Sequence, residues 1–296
     1  MIFCYLILLG IVAYALLLLL PKGNLLQEIG QLPFYLWKVW QVSLKSLQRE
    51  KHTFGAHRKQ YFILYQSNKS KASSKPLVIY YHGGGWTFGS PEKFAVNAKF
   101  FTDLGHPVIM PSYRRLPFHR QEAIAEDRLL ALQQIQQLMK EKGWQGRKII
   151  LGGMSAGGNV AALLLYDTKS LYRIGFDRSR FAGIMLHGAP LDLSAMASTP
   201  LLYCYAGSKA STSFAKANPI SFLNEDDDIP ALVIHGTKDG MVDYGGSENF
   251  LIKGRTLQFK NTTSLILEDG THLDVGRWVF EENESARLIR EWLREL

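Results

Sequence analysis

Two glycine-rich turns, each directly following a short apolar β-branched run, constrain this chain more than any other feature. The second, Gly153-Met154-Ser155-Ala156-Gly157, lies between residues 148–151, a buried-strand pattern, and the Ala/Leu-rich residues 159–165, a buried-helix pattern. A serine at the apex of a strand, sharp turn and helix reads as a nucleophile elbow. Gly153 and Gly157 flank the apex because side chains there would collide with strand and helix. The turn also aims the backbone N–H of Ala156 at the attacked carbonyl, from the positive end of a helix. A phosphate cradle is the competing reading, but no Lys follows the glycines and the spacing fits neither a P-loop nor a dinucleotide fingerprint. The first turn, His82-Gly83-Gly84-Gly85-Trp86, follows residues 76–81. Its consecutive glycines let backbone N–H groups face a substrate oxygen without side-chain obstruction. Gly84 and Gly85 are the candidate oxyanion donors, with Ala156 the third, and His82 and Gly83 shape the turn. Taken alone, this tripeptide better suits a tight turn with no chemistry.

A serine hydroxyl is a weak nucleophile at neutral pH and needs a base oriented by an acid, here expected in the order Ser, Asp or Glu, His. Residues 231–236 read as a strand delivering Asp239, and residues 264–267 as the next strand, whose loop delivers His272. Both lie just past strand C-terminal ends, where open α/β sheets bind ligands. Asp243 is the rival acid, placed at a helix start. Of the eight histidines, His82 and His235 suit structural hydrogen bonds, and His187 ends a strand from which it can face the pocket.

With these residues placed, the chain resembles the α/β-hydrolase fold, and within it the hormone-sensitive-lipase-like esterases and their carboxylesterase relatives. Gly153 to Asn159 is similar to the family's G-D-S-A-G-G-N, Tyr113-Arg114-Arg115-Leu116-Pro117 to its Y-R-L-A-P, and Asp239-Gly240-Met241-Val242-Asp243 to its D-P-L-x-D. The resemblance covers about residues 60–296. It implies Ser155, Asp239 and His272 as a catalytic triad and Gly84, Gly85 and Ala156 as the oxyanion hole. Met154 departs from the family's carboxylate, and Leu273 from a common aromatic.

Elsewhere, helices are expected over residues 92–104, 122–140 and 284–296 and a strand over 107–110, alternating with the other strands into a mostly parallel central sheet with helices on both faces. Residues 190–228 break the alternation and read as a small cap insertion, with Tyr203, Tyr205, Phe214 and Phe222 available to line a pocket or to pack within the cap.

Residues 2–20 form an uncharged apolar run ended by Pro21 and Lys22, long enough for a membrane-spanning anchor over residues 1–21. A cleaved signal peptide is the rival, lacking a basic start and a small-residue cleavage site. Ten Lys or Arg against Glu28 and Glu50 within residues 21–75 account for the whole net charge of +8, leaving residues 76–296 neutral. Residues 22–59 are therefore expected as a basic juxtamembrane or cap segment, with 25–47 an interfacial helix, a cover for the active-site mouth, or both. The charge asymmetry favours a cytoplasmic catalytic domain, and membrane relatives of the family supply the lumenal alternative.

These readings converge on a membrane-anchored serine esterase or lipase over residues 60–296, acting on an apolar acyl ester through an acyl-enzyme, with no metal, organic cofactor or nucleic acid partner. An amidase or deacetylase with the same triad, and a non-catalytic binding protein on the same scaffold, are the alternatives.

Overall fold

The computed structural model describes residues 2–68 and 74–296, so Lys69 and Lys71 of the basic segment lie outside the described residues. Eight strands build one sheet: β1 (Leu47–Thr53), β2 (Tyr61–Ser67), β3 (Leu77–Tyr81), β4 (Val108–Pro111), β5 (Ile149–Met154), β6 (Phe181–His187), β7 (Ala231–Gly236) and β8 (Thr262–Leu267). Their spatial order is β1-β2-β4-β3-β5-β6-β7-β8. Every pair from β4 to β8 is parallel, while β1 pairs antiparallel with β2 and β2 with β4.

The helices are α1 (Ile2–Leu18), α2 (Leu25–Gln41), α3 (Ala95–Asp103), α4 (Gln121–Glu141), α5 (Ala156–Tyr166), α6 (Thr168–Arg173), α7 (Pro200–Ala206), α8 (Thr212–Ala217), α9 (Tyr244–Thr256), α10 (His272–Val275) and α11 (Glu284–Glu295). Side chains alternate across a strand, so β3 sends Leu77, Ile79 and Tyr81 into one core and Val78 and Tyr80 into the other. The first core is closed by α4 and α5, through Ile135 and Val160 among others, and the second by α3 and α11, through Phe101, Ile289 and Trp292. Both faces of the inner strands are thus buried, which is why they read as continuous apolar runs.

The helix expected over residues 92–104 begins later, at Ala95, after a turn, and that over 122–140 is α4 almost residue for residue. The cap expected over residues 190–228 consists of α7, α8 and short 3-10 turns. Its Tyr205 and Phe214 are buried, whereas Tyr203 is exposed.

The N-terminus requires a correction. The transmembrane helix expected over residues 1–21 is not supported: among the described residues α1 ends at Leu18 after 17 residues, about 26 Å of helix against the roughly 30 Å of a bilayer core. The N–H groups of Leu19 and Leu20 turn back onto the carbonyls of Leu16 and Leu17, and Pro21 has no N–H with which to continue. Then α2, capped by Asn24 through the N–H of Leu26, folds back on α1. Gly30 permits the approach, since a Cβ there would lie 2.8 Å from a Leu17 methyl. The Tyr14 hydroxyl donates to the Gly30 carbonyl at 2.7 Å. Among the described residues, no helix is long and apolar enough to cross a membrane.

Candidate active site

Ser155 stands between β5 and α5 at φ 56°, ψ −129°, a left-handed backbone that non-glycine residues adopt only where their surroundings impose it. Here the surroundings do. The Ser155 N–H is held by the His187 carbonyl at 2.8 Å. A Cβ on Gly153 would lie 2.4 Å from the Gly157 carbonyl carbon, and one on Gly157 would lie 2.2 Å from the Tyr81 carbonyl oxygen. Both glycines are therefore steric necessities. Ala156 opens α5, so its N–H has no partner one turn back and points out of the helix end.

The glycine turn after β3 faces this elbow. A Cβ on Gly83 would lie 3.3 Å from the Ser155 Cβ, while Gly84 and Gly85 adopt φ of 119° and 56°. The carbonyl of Gly84 accepts the N–H groups of Thr87 and Phe88, fixing the turn. His82 is buried in this structure rather than offered to substrate: its Nδ1 pairs with the Gly83 carbonyl at 2.9 Å, and its ring stacks on Tyr113 at 4.6 Å. Burial lowers its pKa to about 3.

Asp239 and His272, delivered by the loops after β7 and β8, meet at 2.7 Å between Oδ2 and Nδ1. The other carboxylate oxygen of Asp239 accepts the N–H groups of Met241 and Val242 at 2.9 and 2.7 Å. Burial works against the charge on Asp239, but the His272 charge and the hydrogen bonds from His235 and His272 outweigh it and hold the carboxyl well below its usual range. For His272, burial disfavours protonation, yet Asp239 and then Glu28 overcome that and leave its pKa raised. The rival acid is placed elsewhere: Asp243 caps α9 through the N–H of Gly245 at 2.8 Å. Gly188 joins the two halves of the site. It follows His187, whose carbonyl holds the Ser155 N–H, and a Cβ on it would lie 3.1 Å from the His272 ring.

His187 does not face the pocket, as its place at a strand end suggests it can. It is fully buried, with Nδ1 2.9 Å from the Tyr80 hydroxyl. Three residues support the site: His235, read from the sequence as a structural hydrogen-bonder, and Asn159 and Glu28, whose roles escape that reading. His235 Nε2 lies 3.2 Å from Asp239 Oδ2, and its Nδ1 pairs with Ser247 at 2.7 Å. Asn159 ties the elbow helix to the cap, donating to the carbonyls of Pro190 and Ala217 and accepting from Tyr205 at 2.7 Å, while Tyr205 stacks on Trp86 at 3.9 Å. Its place in the Gly-Gly-Asn run was the available signal. Glu28 reaches in from α2, with no signal in its local sequence. Met154, at the position where a carboxylate is usual, is packed in the second core instead.

Comparison with known proteins bears on this geometry. Residues 78–203 match a protein family described as alpha/beta hydrolase fold. The chain is similar to carboxylesterase NlhH of Mycobacterium tuberculosis, 35% identical over 91 residues that span 30% of this chain and 28% of that protein. It is also similar to human arylacetamide deacetylase-like 3, 30% identical over 115 residues, or 38% of this chain and 28% of that one. The chain thus spans under a third of the length of these relatives. Among solved structures, esterase B from Lactobacillus rhamnosis superposes with a TM-score of 0.72 at 20% identity, covering 90% of each chain. The hormone-sensitive-lipase homologue EstE7 from a metagenome library superposes with a TM-score of 0.67 at 16% identity, again over 90% of each. At such identities the superpositions establish the fold.

Proposed function

We propose that this chain of α/β-hydrolase fold is a serine carboxylic-ester hydrolase of the hormone-sensitive-lipase-like esterase family, acting on apolar acyl esters. The observation that carries this reading is the buried Asp239–His272 pair at 2.7 Å, linked through His187 and Gly188 to a serine held in a left-handed turn. Ser155 attacks the acyl carbonyl as His272 takes its proton, and His272 then passes that proton to the leaving alcohol. Asp239 keeps the imidazole in one tautomer and balances its charge. The N–H groups of Gly84, Gly85 and Ala156 receive the oxyanion. Water repeats the sequence on the acyl-enzyme, releasing acid and restoring Ser155.

In the same reading the N-terminal pair α1–α2 attaches the protein to a lipid surface without crossing it. Leu8, Leu9, Ile11, Val12 and Leu16 of α1 and Phe34, Leu36, Trp37 and Trp40 of α2 are exposed, beside a basic segment suited to anionic headgroups.

The test is hydrolysis of p-nitrophenyl acetate, butyrate, octanoate and palmitate by wild type beside Ser155→Ala. Turnover lost in the variant supports the serine mechanism, and the chain-length preference defines the acyl pocket. Because one relative is named for arylacetamide deacetylase, matched anilides belong in the same series. Cleavage of anilides alone replaces the ester reading with an amide one, and no turnover of either rejects both.

A further inference from the structure

One buried carboxylate takes no part in this acyl transfer. Glu28, in the first turn of α2, is fully buried. Its Oε1 accepts the N–H of Gly240 at 2.6 Å, and its Oε2 accepts the N–H of His272 at 3.1 Å. Gly240 follows Asp239 directly, so one side chain holds the backbone of both the acid loop and the base loop. The docking of α2 around this clamp is close and built from several contacts. A Cβ on Gly240 would lie 2.7 Å from the Gly23 carbonyl oxygen. Lys22 donates to the Asp269 carbonyl at 3.2 Å, and Tyr35 donates to the Gly276 carbonyl at 3.1 Å. The two loops between which Asp239 and His272 meet are thus both fastened to an element outside the sheet.

We propose that Glu28 is a positioning residue for the proposed ester hydrolysis, fixing Asp239 and His272 relative to each other and making α2 part of the catalytic apparatus. The inference rests on the esterase reading. Two N–H donors converge on the side chain, so the position requires a group that only accepts. A carboxylate meets that requirement, whereas an amide turns its own NH2 toward one of the donors. The titratable groups around it are Asp239, His272 and, behind Asp239, His235. Burial above all, with the Asp239 charge, leaves the pKa of Glu28 raised, although the Gly240 N–H and the His272 charge act to lower it. Its negative form is therefore favoured most when His272 carries the proton taken from the serine, the moment at which a second anion near the imidazole is useful.

The experiment compares wild type with Glu28→Gln, Glu28→Asp and Tyr35→Phe, with Ser155→Ala as the inactive reference. It reads kcat and KM on p-nitrophenyl butyrate, the pH profile of kcat/KM, and the rate of labelling by a fluorophosphonate. Glu28→Gln should lose about 10- to 100-fold in kcat with KM little changed, as expected for slight misplacement of reacting groups, and its acid limb should move to lower pH. Glu28→Asp, which keeps the charge but is one methylene shorter, should recover part of kcat and most of the limb position. Tyr35→Phe loosens α2 without touching Glu28, and should lower stability while leaving the limb in place. Should Glu28→Gln not fold, Glu28→Asp alone decides, because wild-type kcat and labelling rate in that variant would show that the two-point clamp is dispensable. Wild-type kcat and an unmoved limb in Glu28→Gln overturn the role of Glu28 and leave the esterase reading standing. A wild-type protein inert to both ester and fluorophosphonate overturns the esterase reading and this inference with it.

Discussion

Mild acid should destabilise this protein through a histidine that is buried away from the catalytic pair. His187 is fully enclosed at the end of β6. Its Nδ1 is 2.9 Å from the Tyr80 hydroxyl, and its ring centroid is 5.2 Å from that of Trp278. Its Nε2 has no hydrogen-bond partner among the described residues. The neutral ring tolerates this, because the Tyr80 contact serves either tautomer. The imidazolium brings a charge and an N–H without an acceptor into apolar surroundings. Burial accordingly lowers the pKa from 6.5 to about 3. With the folded pKa below the unfolded one, the unfolded chain binds more protons between those values. The stability contribution is therefore complete above 6.5 and drains away as pH falls toward about 3. At about pH 5, roughly 1.5 units below the unfolded value, the loss is about 2 kcal/mol at ~1.4 kcal/mol per unit. His82, lowered likewise to about 3 by burial, adds a similar loss, for about 4 kcal/mol against a typical total stability of 5–15 kcal/mol. His272 acts in the opposite direction: its raised pKa favours the folded state below the unfolded value of 6.5 and recovers part of this. Asp239, with its depressed pKa, withdraws stability only below its usual 3.8. Urea unfolding near pH 7.5 and near pH 5, followed by tryptophan fluorescence, measures the difference. His187→Gln, which cannot titrate, should be less stable than wild type near pH 7.5 but lose about 2 kcal/mol less on acidification. Equal acid-induced losses in the two proteins would refute the argument.

Ser155→Ala should fold normally and lose at least ~10³-fold in kcat, judged by ester turnover together with unchanged circular dichroism. Asp239→Asn should lose about 10⁴-fold in kcat, whereas Asp243→Ala should keep near-normal activity and lose only a helix cap, about 1 kcal/mol in a denaturant titration. The kcat/KM of wild type should fall as pH drops through the raised pKa of His272, placing the acid limb above 6.5, the ordinary histidine value. Replacing Trp37 and Trp40, both exposed on α2, with Ala should weaken flotation with anionic vesicles while leaving turnover of a soluble ester unchanged.

What the sequence made legible is whatever short-range sterics enforce. Gly153 could be read because the clash it avoids, at 2.4 Å, is with the Gly157 backbone that the turn itself brings close, whereas the 2.2 Å clash avoided at Gly157 is with Tyr81 on the neighbouring strand β3. The reason for weighing Asp239 over Asp243 is local too, since the latter lies at a helix start, where its carboxylate accepts the Gly245 N–H. The parallel strands were legible as apolar runs because both faces of the sheet are covered. By contrast, β1 has the exposed, charged sequence Leu-Gln-Arg-Glu-Lys-His-Thr. An edge strand of this kind is recognised only by its partner, here the antiparallel register of Glu50 with Leu64 and His52 with Phe62.

The same distinction separates the parts of the site. Ser155, Asp239 and His272 each sit in a turn following a strand, so their positions derive from the elements that carry them. The residues that hold those three in register do not. His235 reaches Asp239 across its own loop, Asn159 pins the cap from inside an Ala/Leu helix, and Glu28 closes a contact with His272 across 244 positions of chain. No period or local spacing encodes the bonds of Asn159 and Glu28, which join residues 31 and 244 positions apart. The apolar run at the N-terminus shows a related limit. Its composition is that of a bilayer-spanning helix, but the end of a helix is set by the residues beyond it, and here Pro21 and the packing of Gly30 against Leu17 stop α1 at Leu18. The hairpin that results places an exposed aromatic face and the Glu28 clamp on the same helix, so whatever holds α2 in place also bears on the two loops that present Asp239 and His272.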